Sequence, residues 1–317
     1  MSVVVYVESQ NGVIKKAGLE VASYGRAIAN ATNTSLIAVT FNTNDSSVLN
    51  SHGVDKVYNI NTAEDSFFNV DRYSASLVPI IEKEEASIVV VSATADGRYL
   101  GPILAVGAQA AYFSNVVALP SSYAPLTVKR SCFTNKAFNE SVSNQSKAVI
   151  CLSSNAFGLK EQTSNAENLE GEYLVSNSTL KVTAVDKVTD KVTIADADIV
   201  VSGGRGLKGP ENWHLIEDLA AVLGAATACS KPVSDMGWRP HSEHVGQTGK
   251  PVASILYIAI GVSGAIQHLA GINSSKIKVV INNDPEAPFF KAADYGIVGD
   301  AFEVVPKLIQ KLRAIKQ

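Results

Sequence analysis

The residues best suited to chemistry lie in the C-terminal third of the chain, where two glycine-rich turns follow apolar runs. They are Ser202-Gly203-Gly204-Arg205-Gly206 and Gly261-Val262-Ser263-Gly264. Glycines let backbone N–H groups approach a phosphate, and the N-terminus of a following helix favours its negative charge. Neither turn is a complete GxGxxG, and no acidic residue follows at the distance usual for a ribose contact, so the standard NAD fingerprint is absent. Taken alone, each turn is better explained as a plain strand-to-helix connection.

Polar residues also accumulate near the ends of the apolar runs in this part of the chain. In an open parallel sheet, ligands bind beyond the carboxyl ends of the strands, where such residues converge. A few polar groups among Gly, Ala and aliphatic residues suit a large, flat, partly charged cofactor. The residues that we expect to converge are Arg205, Ser230, Lys231, Gln247, Thr248, Ser263, Gln267, His268, Asn282 and Asp300.

Histidine and cysteine spacing gives little support for metal or nucleophilic chemistry. His241 and His244 have HxxH spacing, but Pro240 and polar neighbours predict an exposed loop, and no third ligand is evident. The chain therefore has no predicted metal site. No base is placed to activate Cys229, which is predicted to be a buried small residue. The cysteines form no CxxC pair, which argues against an iron–sulfur cluster, a zinc ribbon and a disulfide framework.

The composition is that of a globular protein with a sizeable core, because 46% of the residues are hydrophobic and 18% charged. A formal charge of −3 with scattered Lys and Arg argues against nucleic acid or an anionic membrane as the main partner. No apolar run reaches the ~18 residues of a spanning helix, and the first residues are typical of a strand rather than a signal peptide. We therefore expect a cytoplasmic bacterial protein without membrane insertion.

Hydrophobic periodicity in the first half predicts a mostly parallel sheet covered by helices. The predicted strands are Val3–Val7, Leu36–Phe41, Val54–Ile60 and Ile88–Ser92, and the predicted helices are Gly18–Ala31, Ser74–Glu84 and a segment near Pro102–Tyr112. Short β-like segments follow, such as Leu126–Arg130 and Ala148–Leu152, whereas the polar stretch Ser154–Gly171 is predicted to be a loop.

A second α/β unit is predicted from about residue 195 onward. Its predicted strands and helices are Ala197–Val201, Glu211–Leu223 ending at Gly224, Ile255–Ile260, a helix through His268, Lys278–Ile281 and Val304–Ile315. The predicted boundary lies near residues 186–195, which gives domains of residues 1–190 and 191–317.

Four motifs, in order between residues 200 and 298, resemble the α subunit of electron-transfer flavoproteins. They are Val200–Lys208, Val245–Lys250, Leu256–Gly271, and Asp284–Pro288 followed by Ala293–Val298. The first half resembles the family more loosely, through Ala95–Arg98 and Arg130–Glu140. The resemblance implies an α/β fold of two domains. The N-terminal one would be a nucleotide-hydrolase-like (HUP-type) parallel-sheet domain with extra β segments, acting as scaffold and subunit interface. The C-terminal one would be a Rossmann-like FAD-binding domain.

The resemblance also implies the residues that bind FAD. The flavin ring would be met by Lys231, Thr248 and His268, with Thr248 near N5 and His268 near O2, where a donor or positive charge stabilises an anionic reduced flavin. The pyrophosphate would lie over Ser263–Gln267 and the adenosine near Asn282 and Asp300. The full set is Arg205, Ser230, Lys231, Val245, Gly246, Gln247, Thr248, Ser263, Gly264, Ala265, Ile266, Gln267, His268, Asn282 and Asp300.

One position departs from the family pattern, since many members have Ser-Arg where this chain has Ser230-Lys231. Arg has a planar guanidinium that can stack on or bridge to the flavin, whereas Lys is a compact, mobile charge. The positive charge is kept, so Lys231 stays in the predicted site.

The function implied by the resemblance is that of an electron carrier rather than an enzyme. It would pair with a β subunit, accept electrons from acyl-CoA dehydrogenases and related flavin dehydrogenases, and pass them singly to a quinone oxidoreductase. The alternative is a subunit of an NADH-oxidising, electron-bifurcating flavoprotein, which the nucleotide site of the partner subunit would decide. A third possibility, a nucleotide held for structure alone, is disfavoured by the cationic and hydroxyl residues expected at the ring.

Overall fold

The structure, a computed structural model, describes residues 1–62, 67–133, 135–176, 178–180, 182–185, 193–194 and 197–315. The chain divides into two units, Met1–Cys132 with Phe138–Val185 and Phe133–Ala137 with Asp186–Gln317. The boundary predicted at residues 186–195 lies outside the described residues except for 193 and 194. The division into residues 1–190 and 191–317 therefore stays a prediction.

The first unit is built on one large, mainly parallel sheet. Its strands are β1 (Ser2–Val7), β2 (Ser9–Gln10), β3 (Val13–Ile14), β4 (Ser35–Phe41), β5 (Lys56–Ile60), β6 (Ala86–Ser92), β7 (Ala111–Val116), β8 (Ser122–Tyr123), β9 (Leu126–Cys132), β10 (Ala137–Ser143), β11 (Ala148–Leu152) and β12 (Glu167–Gly171). Its helices are α1 (Lys16–Thr32), α2 (Val70–Lys83) and α3 (Ala95–Gly107). The strands of the large sheet follow the order β10-β9-β7-β11-β6-β1-β4-β5-β12, and β2 pairs with β3 separately.

Alternation along β1 explains why helices cover both faces of this sheet. Val3 and Val5 pack in one core with Tyr24 of α1. Val4 packs in a second core with Leu77 of α2 and with residues of α3. Because successive side chains of a strand point to opposite faces, an unbroken apolar run such as β1 needs a covering layer on each side. The parallel α/β architecture predicted for this unit is confirmed.

Two predictions for the first unit were wrong in detail. The helix expected near Pro102–Tyr112 begins earlier, at Ala95, where Thr94 caps it by accepting a hydrogen bond from the Gly97 N–H at 3.1 Å. The end of that predicted span belongs to β7. The predicted loop Ser154–Gly171 contains β12, which is polar because it is the outermost strand beside β5 and pairs through its backbone.

The second unit is a parallel sheet with helices on both faces. Its elements are β13 (Ile199–Gly203), α4 (His214–Leu223), β14 (Ala226–Cys229), α5 (Lys231–Asp235), β15 (Leu256–Ile260), α6 (Ile266–Ile272), β16 (Ile277–Asn282), β17 (Tyr295–Val298) and α7 (Ala301–Ile315). Its strand order is β14-β13-β15-β16-β17, with every pair parallel. Residues of α4 and α7 share one core, and residues of α6 share the other.

This strand order fixes where a ligand site can form. The chain leaves β13 for β14 on one side and then returns to β15 on the other, so β13 and β15 flank a switch point. The loops after these strands run in opposite directions there and leave a crevice at the carboxyl edge. Gly224 ends α4 with φ of 67°, as predicted, while β14 and β17 have no predicted counterpart. No helix within the described ranges has the length and apolarity needed to cross a bilayer.

Candidate cofactor site

A cavity of about 570 Å³ opens at the carboxyl edge of the second sheet. Its walls are the segments that follow β13, β14, β15 and β16, together with residues 244–248. A volume of this size is within the range of small-molecule and cofactor sites. It brings together the predicted residues Arg205, Ser230, Lys231, Val245, Gly246, Gln247, Thr248, Ser263, Ala265, Gln267, His268 and Asn282.

Three predicted residues are not in the cavity wall. Gly264 has φ of 83° and packs so closely that a Cβ there would be 2.4 Å from the backbone nitrogen of Phe289. Ile266 is 72% exposed. Asp300 instead directly precedes α7, where its carboxylate accepts a hydrogen bond from the Phe302 N–H at 3.0 Å.

The cavity also contains residues that the sequence interpretation did not assign. They are Gly206, Pro232, His244, Gly261, Val262, Asp284, Ala287 and Pro288. Most of them adjoin a predicted residue or belong to a quoted motif, so their proximity could have been read from the motifs. His244 also adjoins a predicted residue, Val245, but its polar neighbours predicted an exposed loop and not a place in a cavity wall.

Glycine backbones pack against each other at the switch point. The Gly206 N–H donates to the Gly261 carbonyl at 3.0 Å, and a Cβ on Gly204 would lie 2.1 Å from that same oxygen. Gly261 has φ of 61°, and a Cβ there would be 2.8 Å from the Gly206 Cα. This packing leaves no room for side chains between the two loops. The loops can therefore offer their backbones to a ligand at close range.

His268 lies in the cavity wall as a buried and uncharged residue. Its Nε2 is 2.9 Å from the Tyr257 hydroxyl, and only 6% of the residue is exposed. Burial, followed by repulsion from His244, lowers its pKa to about 4, against an opposing contribution from a hydrogen bond to the Val245 backbone. His268 is therefore neutral near pH 7 in this state, and any positive charge on it would have to come with the ligand.

His244 is buried, contrary to the exposed loop predicted for it. It is 1% exposed, and its ring centroid lies 5.1 Å from that of His241. Its pKa is lowered, first by burial and then by repulsion from His241. No group of three or more metal-binding side chains that could hold a metal ion occurs in the described part of the chain.

The polar atoms of the cavity suit an anionic ligand that carries hydrogen-bonding groups. Arg205 and Lys231 are exposed at the rim, and their side chains form no hydrogen bond or ion pair with the described residues. On the inner wall, Nδ1 of His244 is buried without a hydrogen-bonding partner among the described residues. Buried polar atoms are normally paired, so this atom and the glycine packing fit a site that a cofactor completes.

Asn282 holds the loop after β16 in place. Its Nδ2 donates to the Val262 carbonyl at 3.1 Å, and its Oδ1 accepts from the Asp284 N–H at 3.1 Å. Both the amide nitrogen and the amide oxygen of Asn282 are therefore hydrogen-bonded, and they hold two neighbouring segments of the wall together. Its role is positional before any ligand enters.

Cys229 is buried, as the sequence predicted, and Trp213 is buried near it in the same core. Burial raises the pKa of the Cys229 thiol to about 12, so it carries no thiolate at neutral pH. Trp213 is 3% exposed and packs in the core of the unit, with the Arg239 guanidinium 5.4 Å from its ring centroid.

A doubly wound sheet with a glycine-walled, cation-rimmed cavity at its switch point defines a nucleotide-cofactor-binding protein. Comparison with known families gives the particular class. Residues 3–172 match the electron transfer flavoprotein domain, and residues 193–273 match the electron transfer flavoprotein FAD-binding domain. The chain belongs to the family of electron transfer flavoprotein α subunits, and its cofactor is FAD.

Curated relatives match over nearly their full length. The chain is 36% identical to the electron transfer flavoprotein subunit alpha of Bacillus subtilis over 322 residues, which covers 99% of this chain and 98% of that protein. The subunit alpha proteins of Thermoanaerobacterium thermosaccharolyticum and Syntrophomonas wolfei are 31% and 33% identical, each covering 98% of both chains. Among solved structures, a UDP-GlcNAc 2-epimerase from Methanocaldococcus jannaschii aligns with a TM-score of only 0.38 at 11% identity over 98% of this chain and 92% of that one.

Proposed function

We propose that this chain pairs with a β subunit and carries electrons between other flavoproteins and a membrane quinone pool. In this proposal the donors are acyl-CoA dehydrogenases and related flavin dehydrogenases, and the acceptor is a quinone oxidoreductase that takes electrons singly. The observation that carries the proposal is the cavity, in which two unpaired cations surround a site without an activated nucleophile. An electron carrier needs a bound redox cofactor and residues that adjust the reduction potential of that cofactor. It needs no catalytic residues of its own.

Bound FAD would supply the redox chemistry, and the residues of the cavity would bind and tune it. Lys231 and Arg205 place positive charge at the rim, where it favours a reduced, more negative cofactor. Thr248 and Gln247 present exposed polar side chains from the neighbouring segment of the wall. Asp300 is left out of this set, because it caps α7 outside the cavity.

The loop between β15 and α6 is suited to the phosphates in this proposal. Ser263, Ala265 and Gln267 are exposed to the cavity, and the residue before α6, Ala265, has no side chain that could cap the helix. The backbone N–H groups at the start of α6 therefore form no hydrogen bond with a capping side chain. The resemblance implies an adenosine site near Asn282 and Asp300, and in this proposal the adenosine end lies near Asn282 and Asp284, because Asp300 does not line the cavity.

An exposed apolar strand edge supports the pairing with a β subunit. Within the described second unit, β17 pairs with β16 on one side and with no strand on the other. Tyr295 is 66% exposed, Ile297 41% and Val298 59%. An unpaired strand edge with large exposed apolar side chains promotes aggregation of an isolated chain, and such an edge is a typical site for a protein partner.

The test is a stepwise anaerobic dithionite titration of the co-purified α/β complex, followed by visible absorption. We expect bound FAD and, after one electron per FAD, a spectrum distinct from both the oxidised and the fully reduced spectra. Addition of an acyl-CoA dehydrogenase with its substrate should produce the same spectrum. Absence of FAD, or reduction only in two-electron steps, would count against a one-electron carrier. Rapid reduction by NADH alone would favour the bifurcating alternative.

A further inference from the structure

His244 is a buried titratable group in the cavity wall to which the proposed function gives no role. The backbone on both sides of it is fixed by hydrogen bonds. The His244 N–H donates to the His241 carbonyl at 3.1 Å, the Lys250 N–H donates to the His244 carbonyl at 2.9 Å, and the Val245 N–H donates to the Cys229 carbonyl at 3.0 Å. The segment thus lies alongside the end of β14, the same strand end from which Ser230 and Lys231 enter the cavity.

The ring of His244 is held as firmly as its backbone. A Cβ on Gly249 would lie 2.9 Å from both Cγ and Nδ1 of His244, so the glycine makes the space that the ring occupies. Nδ1 is buried and has no hydrogen-bonding partner among the described residues. A polar ring fixed in this way, with an unpaired nitrogen, is not explained by packing alone.

The charged and titratable groups around His244 come from four elements. Lys231 and Asp235 belong to α5, and His241 belongs to the same turn as His244. His268 of α6 interacts electrostatically with His244, and Cys229 of β14 is bridged to it by backbone pairing. The Cys229 thiol is uncharged, since its pKa is raised to about 12.

The balance of these groups keeps His244 neutral while the cavity holds no additional negative charge. Burial comes first in lowering its pKa, followed by repulsion from His241 and, more weakly, from Lys231, against attraction by Asp235. A negative charge placed among the same residues acts in the opposite direction, because an opposite charge nearby favours the protonated form. The protonation state of His244 therefore depends on the charge in the cavity.

We propose that His244 takes up a proton when an electron enters the FAD cavity, so that an imidazolium beside Lys231 offsets the added negative charge. This inference rests on the proposed function. The electron comes from the donor dehydrogenase, or from dithionite in an experiment, and the proton comes from solvent. One electron and one proton enter together, and the net charge of the cavity is unchanged. His244 is then a second histidine of the redox site, beside His268.

The direct test is the pKa of His244 in the two redox states of the α/β holo-complex. Histidine labelled with ¹⁵N is introduced, and the His244 signals are assigned by their loss in His244→Asn. Titrations are recorded for the oxidised complex and for the complex fully reduced with dithionite. We expect the pKa of His244 to rise on reduction by at least one pH unit, a tenfold change in proton affinity. An unchanged pKa would overturn the proposal.

A second measurement follows the midpoint potential of the first electron as a function of pH. Coupled uptake of one proton lowers this potential by about 59 mV per pH unit, the equivalent of a tenfold change for a one-electron couple. We expect this slope in the native complex and in His241→Asn, the matched control on the same turn, and a flatter slope in His244→Asn and His244→Gln. A slope that survives in both His244 variants but disappears in His268→Asn would assign the proton to His268 and refute the proposal.

The outcomes separate this inference from the proposed function. A complex that contains FAD and accepts single electrons, with no change at His244, leaves the carrier function standing and removes only the role of His244. A complex that binds no FAD refutes the carrier function, and the role of His244 with it. FAD content is therefore measured first, from the visible spectrum of the denatured complex.

Discussion

Lys231 carries a single exposed charge at the rim of the cavity, where many relatives are expected to have arginine. Removing the charge in Lys231→Gln should make reduction less favourable, because a cation near the cofactor stabilises added negative charge. Exposed charge pairs are worth about 0.2–1 kcal/mol, which for a one-electron couple corresponds to roughly 10–40 mV in the midpoint potential. Spectroelectrochemistry of the α/β complex measures this shift. Lys231→Arg, which keeps the charge, is the control, and an equal shift in both variants would exclude a charge effect.

His268 should make the stability of the second unit depend on pH. Its pKa is about 4 when folded, against about 6.5 in an unfolded chain, so the unfolded state binds more protons between these values. The stabilising contribution is complete above pH 6.5 and is lost as the pH falls toward 4, by about 3 kcal/mol in all. Both tryptophans, Trp213 and Trp238, lie in this unit, so urea unfolding followed by tryptophan fluorescence reports on it.

The variant His268→Asn separates this effect from general acid unfolding. It should be less stable than the native chain at pH 7, because the Tyr257 hydroxyl loses its partner, yet it should lose less stability between pH 7 and pH 4.5. If both chains weaken in parallel over that range, the buried histidine is not responsible for the acid sensitivity.

Site residues could be predicted where a local sequence motif identifies them. They could not be predicted where contacts with distant parts of the chain determine their position and burial. Arg205 and Lys231 were predictable because they follow the ends of β13 and β14, and Thr248 was predictable from the motif Val245–Lys250; all three line the cavity. The burial of His244 depends on the space beside Gly249 and on backbone pairing with Cys229. Neither of these is visible in the polar sequence around it, which by itself predicts exposure.

At the scale of elements, the turn between β15 and α6 depends on the absence of side chains. Gly261→Ala would combine left-handed backbone strain with a Cβ 2.8 Å from the Gly206 Cα. We expect a loss of roughly 3–5 kcal/mol in unfolding free energy, together with loss of FAD from the purified complex. Urea unfolding followed by tryptophan fluorescence gives the first quantity, and the visible spectrum gives the second.

Gly224 provides a matched control for this variant. It ends α4 with a similar φ of 67°, but a Cβ there would meet nothing within 4 Å. Gly224→Ala should cost only the left-handed strain of about 1–2 kcal/mol and leave FAD content unchanged. Similar losses in the two variants would mean that the close packing with Gly206 contributes little.

Elements were predictable in proportion to how much apolar surface they bury. β1, β4, β6 and β11 are buried runs, and their periodicity predicts them to within a residue or two. β12 and β17 are edge strands that are specified by pairing with one neighbour, so their sequences show no apolar alternation. The start of α3 was missed because Gly97, Gly101 and Pro102 hide its helical pattern, while the cap at Thr94 sets its true beginning.

At the scale of the whole molecule, the two units differ in what they contribute. The first supplies a sheet with two apolar cores, covered by α1 on one face and by α2 and α3 on the other. The second supplies the switch point and the cavity. The family fits this division, since the electron transfer flavoprotein domain matches residues 3–172 and the FAD-binding domain residues 193–273. FAD should therefore stabilise the second unit directly.

This division predicts how removal of FAD changes the unfolding of the chain. A ligand that binds only the folded state adds stability that grows with the logarithm of its concentration, about 2.7 kcal/mol when free FAD is 100 times the dissociation constant. The free energy of unfolding that Trp213 and Trp238 report in urea should rise by that amount as FAD is added to FAD-depleted complex, which moves the urea midpoint upward. Gly261→Ala should show a smaller rise at equal FAD. Because the β subunit can contain tryptophan, fluorotryptophan is incorporated into this chain alone and read by fluorine NMR. A midpoint that does not depend on FAD would place the cofactor outside the second unit.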